Sequence, residues 1–196
     1  GRPPVPHRGR HRLRTVRLAA WKTAENAAEQ GYLALLGIKP TEPATGYGYI
    51  QPASILNLDN QEMSAYQVER FVEKPDAKNA AKFVQAGYLW NSGMFVFRAD
   101  IFMQMLKQYQ PEIYNKINLL NDIDIAADYA ELPNISMDYG LAEKAENVAV
   151  VPVDMSWSDL GSWDSIHRKH AKNADNNVVE CEVITIDTKD SLLWTT

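Results

Sequence analysis

Short apolar runs alternate along this chain with segments of helical spacing, and breaker residues separate the two. Residues 23–31 (TAENAAEQG) gather helix formers and end on Gly31, the position where a glycine closes a last helical turn. Tyr32 to Ile38 (YLALLGI) is a continuous apolar run of strand length, which predicts a buried strand. KPTEPATGYGYIQP follows, so dense in proline and glycine that it predicts a shaped loop rather than an element. Residues 65–73 (AYQVERFVE) alternate as a strand stopped by Pro75, and Asp76 is placed to cap a helix running through Phe83 and Gln85 to Gly87. Within YLWNSGMFVFRA the MFVF core predicts another buried strand. Asp100 is then placed to cap a helix whose Ile101, Phe102, Met105 and Leu106 share one face.

Two short helices are expected between Pro111 and Ala130, and a further one from Ser136 or Asp138 carrying Leu141 and Ala142. Asn147 turns the chain into a strand over 148–154, WSDLGSW leads into a helix ending near His170, and residues 176–196 alternate as strands. Strands interleaved with helices give an α/β fold: a Rossmann-like mixed sheet flanked by helices. The division expected is a basic disordered arm over 1–22, a partial domain over 23–172, and the start of a truncated β segment over 173–196.

Composition sharpens this picture at one end. Seven of the 20 basic residues lie in the first 22 positions, which hold no acid, leaving thirteen against 25 acids in the rest. A body that acidic is a poor surface for nucleic acid. The arm GRPPVPHRGRHRLRTVRLAA reads as a polyanion-binding tail, a transit segment, or a tail foreign to the domain. No apolar run is long enough to span a membrane, and the lone Cys181 has no partner for an internal disulfide, so a cytoplasmic protein is expected.

Four segments place polar residues where a strand ends, the rim at which open α/β sheets bind ligands. TGYGYI (45–50) either lets backbone approach a ligand at Gly46 and Gly48, around Tyr47, or is an ordinary turn. FVEKP (71–75) presents Glu73, able to accept bonds from vicinal hydroxyls, and Lys74, able to meet a phosphate; the alternative is a surface acid–base pair. WNSGMFVF (90–97) offers Asn91, both donor and acceptor like the hydroxyl it would bind, with Gly93 leaving room for a ring; the alternative is a turn. WSDLGSW (157–163) carries Asp159, a carboxylate suited to Mg²⁺ beside phosphate oxygens, or else a helix cap formed by Ser158 or Asp159. His167 and His170 stand three apart, as a metal pair or as a solvated helix end.

In this order, and with SMDYGLAEKAENVAVVPVDMSWSDLGSW closing the set, the segments resemble the bacterial mannose-1-phosphate guanylyltransferases, including those fused to a phosphomannose isomerase. The resemblance covers residues 24–190. It implies the nucleotide-diphospho-sugar transferase fold and formation of GDP-mannose and pyrophosphate from GTP and α-mannose 1-phosphate. It also implies that Gly46, Tyr47 and Gly48 line the sugar-nucleotide site, Glu73 binds mannose hydroxyls, Lys74 the phosphate, Asn91 and Gly93 the ring, and Asp159 the Mg²⁺. Glu73, Asn91 and Asp159 are expected to converge on one cleft. No residue is assigned a covalent catalytic role.

The chain departs from the family in carrying no GG-x-G-x-R-L-x-P phosphate loop and no second metal-binding aspartate after a central strand. The expectation is therefore a domain incomplete at its N-terminus that binds GTP poorly and turns over little. Another hexose-1-phosphate nucleotidyltransferase, or a non-catalytic sugar-phosphate-binding module, is the alternative. Monomer and homo-oligomer both remain open.

Overall fold

The computed structural model describes residues 7–59, 62–119, 129–155, 157–159, 161 and 163–195. These fall into two compact units, Gly1–Met155 and Ser156–Thr196. No helix among the described residues is long and apolar enough to cross a membrane.

Helix α1 (His7–Glu29) opens the first unit. Its Ala20, Ala24, Ala27 and Ala28 are buried, at the i, i+4, i+7, i+8 spacing of a single helix face. Small side chains there let the helix lie close on the strands Leu33–Ile38 and Val148–Val153. This corrects the boundary expected at residue 22. Arginine is a good helix former, and the helix runs from His7 across that boundary; residues 1–6 of the expected arm lie outside those described. Arg17 donates to the Met155 carbonyl at 3.1 Å, and the buried Thr23 hydroxyl accepts from the Met63 amide at 3.1 Å. The helix stops as expected: Gly31 takes φ +92°, a conformation open to glycine.

Strand β1 (Leu33–Ile38) is buried along its whole length, because it pairs on both edges and is covered on both faces. Strands β2 (Tyr49–Leu56), β3 (Ala65–Val72), β4 (Leu89–Val96) and β5 (Val148–Val153) complete a mixed sheet in the order β1-β4-β2-β3-β5. Only β1 and β5 run parallel, and pairing of β3 with β5 closes the strands on themselves. The α/β class with a mixed, helix-flanked sheet is as expected; the closure was not foreseen.

Leu33, Leu35, Ile50, Phe71, Leu89, Val148 and Val150 form the core with Met105 and Leu106 of α3 (Ala99–Tyr109). Ile113 and Ile117 of α4 (Pro111–Leu119) pack against it. Ala34 and Leu36, alternating with the core residues along β1, face the α1 side.

Strand β2 corrects the loop expected over residues 39–52. Pro52 reads as a breaker, yet it stands where the β2–β3 register slips, so the ladder loses nothing by its missing N–H. Helix α2 (Ala77–Gln85) is capped as expected: the Asp76 carboxylate accepts from the Asn79 amide at 2.8 Å, and Gly87 follows with φ +80°. Asp100 lies inside the first turn of α3, bonded to Arg98, which itself occupies the cap position. Of the two helices expected over 111–130, α4 is the first; residues 120–128 lie outside those described. Where a helix was expected from Ser136 or Asp138, the chain makes one π-helical turn, Asp138–Ala142, whose Gly140, Leu141 and Ala142 are buried.

The second unit is described by itself. Helix α5 (Trp163–Lys169) precedes a two-stranded parallel pair, β6 (Val178–Val179) and β7 (Leu192–Leu193). Among the described residues, the alternation expected over 176–196 therefore yields only these short strands. Buried Asn177 holds the segment between them, donating to the Thr188 carbonyl at 2.7 Å and accepting from the Ser191 amide at 3.0 Å.

Candidate functional site

Strand register alone assembles the heart of the site. Tyr49 of β2 stands opposite Val72 of β3 on one side and Trp90 of β4 on the other. One residue beyond the paired rungs, Gly48 therefore lies between Glu73 and Asn91. The Asn91 amide donates to the Gly48 carbonyl at 2.8 Å, extending the ladder by that rung.

Gly48 must lack a side chain here. A Cβ on it would collide with Glu73 Oε2 and come within 3.3 Å of both Asn91 Cβ and Phe71 Cε1. The Glu73 carboxylate thus lies over the bare backbone of β2. Gly48→Ala is expected to fold, because its backbone angles are ordinary, but to push Glu73 out of place. If Glu73 holds sugar hydroxyls as the resemblance implies, calorimetry should show affinity for a sugar phosphate falling about tenfold or more, the equivalent of one good hydrogen bond; wild-type affinity in a folded Gly48→Ala variant would contradict that role.

The Glu73 side chain is only 11% exposed. Its Oε1 faces the Lys74 ammonium at 3.4 Å, whereas Oε2 is buried and finds no hydrogen-bond partner among the described residues. Burial pushes the Glu73 carboxyl above its ordinary value of 4.5, the nearby Asp138 charge pushes it further, and Lys74 opposes both. A buried acceptor without a donor is costly unless something arrives to satisfy it.

Lys74 is 63% exposed, so its pairing with Glu73 is a weak surface interaction. Its φ of +45° is unusual for a residue with a side chain and lies immediately before the buried Pro75. Such departures concentrate at functional positions.

Asn91 owes its aim to a bulge. Pairing of β4 with β1 slips between Phe95 and Asn91, and Gly93, at φ +72°, takes up the extra length. Asn91 Oδ1 accepts from the Gly93 amide at 2.9 Å, and Ser92 Oγ donates to the Leu36 carbonyl at 2.6 Å. On the other side, Asn91 Nδ2 donates to Asp138 Oδ1 at 2.8 Å. Tyr47 packs edge-on against Trp90 with ring centroids 4.9 Å apart, and the Tyr49 hydroxyl bonds the Ala44 carbonyl at 2.8 Å. The indole N–H of Trp90 is buried without a partner among the described residues. Gly46 is exposed, with no atom within 4 Å of where its Cβ would stand, so no packing demands a glycine there.

Two acidic residues of this site carry no local marker in the sequence. Asp138 opens the π-helical turn and bonds Asn91. Glu143, just past the turn, accepts from the Glu73 amide at 3.2 Å. The segment SMDYGLAEKAE reads as an amphipathic helix, and only the pairing of residues 47 and 70 positions apart brings either acid to the rim.

Asp159 belongs to the second unit. Its carboxylate is exposed and accepts from the Gly161 amide at 3.0 Å. A Cβ on Gly161 would stand 2.9 Å from Asp159 Oδ2, so that glycine is what allows the tight turn. Helix α5 begins only at Trp163, so neither Ser158 nor Asp159 caps it. His167 Nε2 bonds the Asn176 carbonyl and His170 Nδ1 meets Glu180 Oε1, both at 2.9 Å; the two imidazoles thus have separate protein partners.

Register has gathered a carboxylate, an amide and an ammonium at one rim of an α/β sheet. The Nucleotidyl transferase family profile matches residues 16–176, and the chain belongs to that family. It is 41% identical over 177 residues to a mannose-1-phosphate guanylyltransferase of Sinorhizobium fredii, covering 85% of this chain and 34% of that protein. The alginate biosynthesis protein AlgA of Pseudomonas aeruginosa is 41% identical over 87% of this chain and 37% of its own length. A crystal structure titled mannose-1-phosphate geranyltransferase from Thermus thermophilus superposes with a TM-score of 0.72 at 35% identity, over 84% of this chain and 48% of that one. The chain thus spans about a third of the curated relatives it matches.

Proposed function

We propose that this chain is the sugar-binding portion of a mannose-1-phosphate guanylyltransferase, whose whole protein forms GDP-mannose and pyrophosphate from GTP and α-mannose 1-phosphate. The observation that carries the reading is Glu73 Oε2, buried over Gly48 and unpartnered among the described residues. Vicinal hydroxyls supply the donors it lacks. Asn91 keeps one N–H and one oxygen lone pair after its bonds to Asp138 and Gly93, a donor–acceptor set that matches a further hydroxyl. Lys74, exposed beside Glu73, meets the phosphate as a point charge. Gly93, Gly46 and Tyr47 line the approach. Relatives whose names specify mannose 1-phosphate support this hexose.

The work of these residues is placement. A phosphate oxygen of the sugar attacks the nucleotide α-phosphorus in line, and holding the hexose by two hydroxyl contacts while Lys74 meets its phosphate fixes the direction of that oxygen. No covalent intermediate on the chain is required by this in-line displacement.

The family points to a divalent cation, and we assign it as Mg²⁺ at Asp159. The residues fit that ion. Asp159 presents an exposed carboxylate at a tight turn, and magnesium is commonly held by one or two carboxylates with the rest of its shell from phosphate and water. Held there, such an ion would screen the charge gathering on the phosphates.

The experiment is a calorimetric titration of the chain with mannose 1-phosphate, glucose 1-phosphate and mannose 6-phosphate, beside an assay of GDP-mannose synthesis from GTP, UTP or dTTP by the gene's complete product. Preference for mannose 1-phosphate, and for GTP in the complete product, is expected. Equal binding of all three sugars, or use of UTP in place of GTP, would overturn it. Asp159→Asn in that complete product should raise the magnesium concentration needed for half-maximal rate about tenfold or more, with mannose 1-phosphate binding unchanged. A rate insensitive to this substitution would remove Asp159 from the metal site.

A further inference from the structure

The π-helical turn Asp138–Ala142 reaches both polar arms of the site from outside the strands that carry them. Asp138 Oδ1 accepts from Asn91 Nδ2 at 2.8 Å, and Glu143 Oε1 accepts from the Glu73 amide at 3.2 Å. The turn cannot drift, because Gly140, Leu141 and Ala142 are buried and the Gly140 carbonyl accepts from Gln110 Nε2 at 2.8 Å. The Glu143 amide in turn bonds the Asp138 carbonyl at 2.9 Å. A π turn inserts one residue beyond an α-helical spacing and is frequent at functional sites; here Asp138 meets Asn91 of β4.

We propose that Asp138 is a positioning residue for the hexose, fixing which way the Asn91 amide points and holding a negative charge beside Glu73. This rests on the reading that the site takes a hexose 1-phosphate. The reasoning is one of donors and acceptors. An ionised carboxylate only accepts, so the nitrogen end of the Asn91 amide must face Asp138. Its oxygen end then meets the Gly93 amide, at 2.9 Å. Both ends are determined, and one N–H and one lone pair are left in a fixed direction for the sugar. Without Asp138 only the Gly93 amide holds that orientation, and the donor and acceptor offered to the sugar are fixed less firmly. The second effect is electrostatic. Glu73 faces Lys74 from its own loop and Asp138 and Glu143 from the turn, and Asp138 is the stronger of the two acidic influences on it.

Two substitutions separate the effects. Asp138→Asn keeps an oxygen for Asn91 Nδ2 and removes the charge; Asp138→Ala removes both. In the full 196-residue chain without ligand, a carbon-13 carboxyl titration of Glu73, identified by its loss in Glu73→Gln, should move to lower pH in both variants. Affinity for mannose 1-phosphate, read by calorimetry at neutral pH, should stay within about threefold of wild type in Asp138→Asn and fall about tenfold or more in Asp138→Ala. The acid limb of binding should shift downward in Asp138→Asn, because the carboxylate form of Glu73 then persists to lower pH.

A purely structural role for Asp138 would leave the Glu73 titration in place, and that result overturns the proposal. So does an Asp138→Asn variant that binds as poorly as Asp138→Ala, which would make the acid a direct ligand. A wild-type chain that ignores mannose 1-phosphate yet binds glucose 1-phosphate sinks the assigned sugar instead, and the same comparisons made with glucose 1-phosphate then decide the role of Asp138.

Discussion

Replacing Glu73 by glutamine is expected to weaken mannose 1-phosphate binding between tenfold and a hundredfold while making the chain more stable at neutral pH. The loss follows from charge-assisted hydrogen bonds, each worth about 1.5–3 kcal/mol, where one such bond corresponds to about tenfold or more in affinity. The gain follows from burial of a charge whose Oε2 has no partner among the described residues, set near two further acids. A glutamine of the same shape removes that charge.

The sign with pH is fixed by the direction of the shift. The Glu73 carboxyl lies above its ordinary 4.5 in the folded chain, so the folded state holds this proton more tightly than the unfolded one. Its contribution to stability is fully present below the unfolded value and is lost as pH rises through the raised folded value. Thermal midpoints of wild type and Glu73→Gln should therefore draw together on acidification toward about pH 4.5 and separate toward neutrality, with the variant higher. A variant that melts lower at neutral pH and binds sugar normally would reverse the account of this residue.

The second large effect belongs to the core. Gly37 of β1 lies where a Cβ would stand 2.6 Å from Val150 Cγ2 and 2.7 Å from Leu89 Cδ1. Neither neighbour has room to give, since Val150 is fully buried and Leu89 is 8% exposed. Gly37→Ala should cost about 1–3 kcal/mol by overpacking, a fall of about 2–12 °C in melting temperature for a chain of this size. Pairing it with Leu89→Ala should recover part of the loss, because the two changes meet in one space and their effects are not additive. Full additivity of the two in urea denaturation would show that the crowding lies elsewhere. Gly37 also pairs with Asn91 across the sheet, so the single variant should weaken sugar binding as well.

What was legible in the sequence, and what was not, divides along the range of the interactions. Gly31, Gly87 and Asp76 act within one helical turn, and all three stand where their local signals put them. Gly93 reads as room for a ring or as a turn, and the structure instead places it inside β4 at φ +72°, where it takes up a bulge. Strand β2 was hidden because Pro52 speaks locally as a breaker; only the irregular pairing with β3 shows that its N–H is not required.

The basic segment misled in the other direction. Its charge suggested an arm, but Ala20 and Thr23 continue the buried face of α1. Within the site, Gly48, Glu73 and Asn91 were identifiable as motifs, and their meeting follows from the rungs Tyr49–Val72 and Tyr49–Trp90. Asp138 and Glu143 were not identifiable, since acids at helical spacing are ordinary and their roles depend on partners in β4 and after β3.

The account stands on the carboxylate of Glu73 meeting the hydroxyls of a hexose whose phosphate reaches Lys74. A crystal structure of the chain with mannose 1-phosphate tests this most directly. The expected result is Glu73 Oε2 within hydrogen-bonding distance of ring hydroxyls, Asn91 beside them, and the phosphate against Lys74. A sugar bound with its hydroxyls away from Glu73, or seated on another face of the first unit, would contradict it.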